Sequence, residues 1–197
     1  EVESIEQAVL ILGRQGVRNI ISTTIMMPML KGEGAKEGAF SQRAWQWAQL
    51  CATASNLYAQ VKDRDPGPLY LLGLLPSLAY LVIYRALLAY EKKYPELGPI
   101  EPGLIRLILE ARSWEFCQKI YEEWGLPSVC ENYLSEAESS TINVVYAPLR
   151  DGITLSRYKL LHDLNSSPLN DTQLFNITCA STTTNHAVNE LIINQTS

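Results

Sequence analysis

The chain has 197 residues, 47% hydrophobic and 19% charged, with a net charge of −5. That length encloses a core of one-domain size, and the hydrophobic share excludes a disordered chain. The acidic balance argues against a general nucleic-acid binder, which needs a basic surface to neutralise phosphates. Cys51, Cys117, Cys130 and Cys179 show no C-x-x-C spacing and no neighbouring histidine. A disulfide scaffold and a zinc site are therefore disfavoured, and reduced thiols in a cytoplasmic protein are expected. The chain opens at Glu1 with no leader, so it is read as processed or as a piece of a longer protein.

In chain order, Ser4 stands as an N-cap, and Ile5, Ala8, Val9 and Leu12 share one helix face that Gly13 ends. A second stretch starts at Gly16, carries Val17, Ile20, Ile21 and Thr24 on one stripe, and ends near Pro28. Lys31 to Ala39 reads as a polar loop. Ser41 is expected to cap a long helix to about Val61, with a stripe of small residues at Ala44, Ala48, Cys51, Ala52, Ser55 and Ala59. Such a stripe lets a neighbouring helix approach closely. Asp63 to Pro68 is a break. The run from Gly67 to Tyr84 carries no charge. Its length approaches a membrane span, but Pro76, Ser77 and three tyrosines interrupt it. It is read as a buried core helix continuing to about Lys93, kinked at Pro76, with no membrane partner.

Pro95 to Pro102 is a loop and Leu104 to Leu109 a short apolar segment. Trp114 to Trp124 is a helix stopped by Gly125-Leu126-Pro127, and Ser128 to Glu138 is another. From Ser139 the sequence is rich in Asn, Ser and Thr. The sequons at Asn165, Asn170, Asn176 and Asn194 are read as a by-product of that composition. Two helical patterns remain there, Ile153 to Leu164 and about Asn185 to Ile193. No stretch alternates with period two, so the fold class is all-α.

Histidine chemistry has little support. His162 and His186 have no motif around them, and G-x-S-x-G is absent. Glu122-Glu123 and the Glu136/Glu138 pair are read as solvated helix faces, and the four tryptophans as core.

Four stretches resemble, in order, the motifs of HDOD domains, the HD-related output domains of bacterial signalling proteins. The first is Ala8-Val9, Leu12-Gly13 and Val17-Arg18-Asn19-Ile20-Ile21; the second is Trp45-Gln46-Trp47-Ala48 with Cys51-Ala52. Gly73 to Tyr80 is similar to the family's G-L-L-H-D-I-G-K, and Ser113 through Cys117 to Trp124-Gly125-Leu126-Pro127 to its H-a-e-v-G-a … W-g-L-P. The resemblance covers about residues 5 to 138 and implies a compact multi-helix HD-like fold. The domain layout it suggests is a core over 1–138 and a closing segment over 139–197 on the same domain. The resemblance implies further helices ahead of the Leu-Gly motif, so the given sequence is expected to begin inside a larger protein.

Each position where the wider HD phosphohydrolase superfamily or the HDOD pattern places histidine or aspartate is altered: Trp47, Pro76, Ser77, Ser113, Ala137 and Glu138. A divalent ion that activates water needs imidazole and carboxylate ligands. The resemblance therefore implies a regulatory domain with no catalytic, cofactor or metal residues, an apolar filled pocket, and an unidentified signalling protein as partner. Two rivals stay open. One is a degenerate metal-dependent phosphohydrolase acting on nucleotides. The other is a sensor that takes an apolar or nucleotide ligand into a pocket lined by Trp47, Leu75, Pro76 and Ser113.

Overall fold

A computed structural model describes residues 4–29, 31–32, 34–61, 63–138 and 148–163. The pattern at 185–193, His186, Cys179 and the sequons lie outside the described residues. Among the described residues there are six α-helices, one 3₁₀ turn and no strand.

Helix α1 (Ile5–Met29) starts as read: the Gln7 amide donates to Ser4 Oγ at 3.1 Å. Its backbone leaves the helical region at Gly13 (φ 64, ψ 176), so two helical pieces meet at the expected stop. The apolar faces on either side are mostly uncovered. Ile5 is 80% exposed, Ile21 53%, and Met26 is the one buried residue of this helix.

Helix α2 (Ala35–Val61) begins inside the expected loop, ahead of Ser41. Ala35, Lys36, Glu37 and Ala39 are adequate helix formers, and Gly38 alone does not stop them. Arg85 fastens this start to α3 (Gly67–Lys93): it donates to Glu37 at 2.5 Å, to the Met29 carbonyl at 3.0 Å and to the Lys31 carbonyl. Ser41 is consequently a buried side chain within the helix and not its cap.

The whole small-residue stripe of α2 is buried, and it faces two helices. A Cβ on Gly73 would meet the Ala52 Cα at 2.5 Å, and one on Gly152 would meet the Ser55 amide nitrogen at 2.6 Å. Helix α3 and the last described helix, α6 (Pro148–Asp163), thus lie backbone-close against α2. His162 falls on α6, which starts ahead of the expected Ile153.

The break before α3 is built as its sequence suggests. Asp63 takes a left-handed φ of 51°, and the Asp65 carboxylate accepts the Gly67 amide at 2.8 Å. Helix α3 continues through Pro76 and buries twelve residues, among them Leu69, Leu72, Leu74 and Leu75. It touches α1, α2, α4, α5 and α6. Its apolar window is long enough to cross a membrane, and 56% of that window is buried inside the molecule.

After the turn Pro95–Leu97, α4 (Pro102–Glu123) is one helix where the sequence reading had two segments. Glu110 to Ser113 interrupt the apolar stripe without breaking the backbone. Glu101 caps the start by accepting the Leu104 amide at 2.9 Å. At the far end Gly125 (φ 56) donates to Glu122 O at 3.1 Å, and Leu126 donates to Tyr121 O at 3.2 Å. That is a Schellman stop, which needs a residue at ease in the left-handed region. Helix α5 (Ser128–Glu138) follows as expected. Glu136 is not merely solvated: it pairs with Arg64 at 3.0 Å.

Candidate functional site

The six altered positions come from α2, α3, α4 and α5, and five of them are interior. Trp47 (5% exposed) and Ala137 (4%) belong to one core cluster with Leu75, Cys117, Leu134 and Ile153. Pro76 and Ser77 are buried on α3, and Ser77 Oγ has no hydrogen-bond partner among the described residues. Ser113 is buried, its hydroxyl turned to the Glu110 carbonyl of its own helix at 3.5 Å. Glu138 alone is exposed.

Trp47 is held by a polar contact that the sequence did not announce. Its Nε1–H donates to Ser156 Oγ at 3.0 Å, and Ser156 donates to the Ile153 carbonyl at 2.8 Å. Cys51 Sγ lies 2.8 Å from the same Oγ. A hydroxyl has one proton and two lone pairs, so Ser156 is fully used when the thiol donates to it. Burial pushes the Cys51 thiol up to about 12, with Ser156 and Arg157 opposing, and the Cys117 thiol also up to about 12. Both stay protonated and unreactive as nucleophiles at neutral pH.

The HDOD family model matches residues 1–139, most of the chain. The chain belongs to the HDOD domain family. No curated protein and no solved structure matches it. The match spans all four motifs and all six altered positions of this HDOD domain, a member of a signalling-associated family.

The wider superfamily implies a divalent ion at these positions, and the residues of this HDOD domain do not fit one. The Trp47 nitrogen is a donor already committed to Ser156. Proline and alanine side chains offer no ligand atom, and neutral serine hydroxyls are poor ligands without carboxylate or imidazole beside them. Among the described residues no three His, Cys, Asp or Glu side chains gather. The pocket expected from Trp47, Leu75, Pro76 and Ser113 is not open either: Leu75, Pro76 and Ser113 are core.

The open space lies next to Trp47 instead. A cleft of about 400 Å³ is walled by Phe40, Ala44 and Trp47 of α2, Tyr80 of α3 and Leu160 of α6. Arg43, Arg106, Glu110 and Arg157 stand around it. The Arg157 guanidinium lies 5.3 Å from the Trp47 ring centre and 5.7 Å from that of Tyr80, and it donates to the Tyr80 hydroxyl at 2.7 Å. Burial raises the Tyr80 phenol above its ordinary value, and Arg157 opposes that rise. Phe40 is itself backed by Tyr84, the two rings stacked at 4.0 Å.

Sequence reasoning missed these arginines. Phe40, Arg43 and Trp47 have the spacing of one helix face, as do Arg106 and Glu110, so part of the signal was there. Which helices face each other was not.

Proposed function

We propose that this HDOD domain is a non-catalytic signalling module, cytoplasmic and bacterial, that acts through contact with another protein. One observation carries the non-catalytic part: the positions that hold metal in the wider superfamily are occupied here by packed side chains, Trp47, Pro76 and Ala137 among them. Metal chemistry at those positions would need imidazole and carboxylate ligands, and among the described residues no such group gathers there. What supports the contact part is the apolar surface of α1, where Leu10 is 82% exposed, Ile11 68% and Ile25 58%. Exposed apolar patches of this kind mark interaction surfaces.

Two measurements on the purified chain test this. Hydrolysis of a generic phosphodiester, with Mn²⁺, Fe²⁺, Ni²⁺ or Zn²⁺ added, is expected to stay at background. Affinity capture is expected to retrieve a defined protein with the native chain and to lose it with Leu10→Lys or Ile25→Lys. Metal-dependent turnover with a bound equivalent of metal contradicts the first part. Capture indifferent to both substitutions contradicts the second.

A further inference from the structure

The cleft beside Trp47 combines two chemistries, an apolar wall and a cationic rim. Its walls are aromatic and aliphatic: Phe40, Trp47, Tyr80 and Leu160. Its rim carries three guanidinium groups and one carboxylate, Arg43, Arg106 and Arg157 against Glu110. The local excess is positive on a chain whose net charge is −5. Among the described residues none of the three arginines is ion-paired; Arg43 donates to Gln46 at 3.0 Å and Arg157 to Tyr80. Each guanidinium carries five N–H donors in a fixed fork suited to phosphate, so most of that capacity is unspent.

We propose that this cleft binds a phosphorylated aromatic small molecule of mononucleotide size, its ring against the Phe40 and Tyr80 wall and its phosphate among Arg43, Arg106 and Arg157. The volume of about 400 Å³ falls in the range of small-molecule sites. Inorganic phosphate would leave the apolar wall unfilled. A purely apolar ligand would bury the guanidinium groups without partners, which costs free energy. An organic phosphate satisfies both. Glu110 adds an acceptor for a ring amine or a ribose hydroxyl. Because four helices supply the lining, occupancy would tie α2, α4 and α6 together around α3.

Trp47 reports on the site. The full chain is titrated, by calorimetry and tryptophan fluorescence, with the ribonucleoside 5′-monophosphates, the matching nucleosides and inorganic phosphate. The expected result is saturable binding of at least one monophosphate, one per chain, with its nucleoside and inorganic phosphate at least about tenfold weaker. Arg43→Glu and Arg106→Glu, both at exposed positions, are each expected to weaken it about tenfold or more with the melting temperature unchanged. Three results would overturn the proposal: no monophosphate saturates at millimolar concentration, inorganic phosphate binds as tightly as the monophosphate, or both charge reversals leave binding intact.

Discussion

Two regions meet at Trp47, and they have gone opposite ways. On its inner side lie four of the other altered positions, Pro76 and Ser77 of α3, Ser113 of α4 and Ala137 of α5, all buried. Toward the N-terminal half of α2, α4 and Arg157 lies the cleft, open and ringed by guanidinium groups. In the first region, helices with small residues at their contacts pack closely enough to leave those positions in the interior. The second places polar groups on the outer side of the same tryptophan. One side chain serves as core for one region and wall for the other.

Removing that shared side chain breaks the comparison most severely. Trp47→Ala is expected to cost about 3–5 kcal/mol of stability in urea denaturation and to abolish nucleotide-dependent fluorescence change. Ser156→Ala removes the buried hydroxyl that anchors Trp47. It strands the Trp47 N–H and the Cys51 thiol, and a loss of about 1–3 kcal/mol is expected in urea denaturation.

The buried thiols sharpen the contrast through pH. Cys51 and Cys117 stand at about 12 in the folded chain against 9.0 for an unperturbed thiol, burial being the main cause. Between those values the unfolded chain has released protons that the folded chain retains. Their contribution is complete below about pH 9 and falls as pH rises toward 12, by up to about 1.4 kcal/mol per pH unit and thiol. Urea midpoints across that window check the slope, which Cys117→Ala should make shallower. Smallest of all, Arg106→Glu on the cleft rim should move stability by no more than about 0.5 kcal/mol.

What the sequence made legible was local backbone chemistry and the small-residue stripe. The Asp63–Pro68 break, the Gly13 interruption and the Trp-Gly-Leu-Pro stop each rest on residues that dictate their own turn. The stripe from Ala44 to Ala59 is buried throughout because small side chains at helical spacing leave room for Gly73 and Gly152. The early start of α2 and the continuity of α4 were missed for one reason. Apolar periodicity reports what is buried, and a helix can run on through a polar turn. On α1 the apolar stripe marked the helix correctly and said nothing of cover, and most of that face is exposed. The cleft stayed hidden because its arginines come from three separate helices, and Arg157 lies beyond the stretch that resembles the family.

Ser77 decides most directly whether the positions that hold metal in the wider superfamily are interior in this chain. Ser77 is fully buried, and its hydroxyl has no partner among the described residues. Ser77→Asp restores a carboxylate where the family's motif has one. If the position is core, the variant buries an uncompensated charge and loses about 3–5 kcal/mol in thermal and urea melts, with Mn²⁺ or Zn²⁺ making no difference. A variant that melts like the native chain, or whose melting temperature rises on adding either metal, would contradict the account.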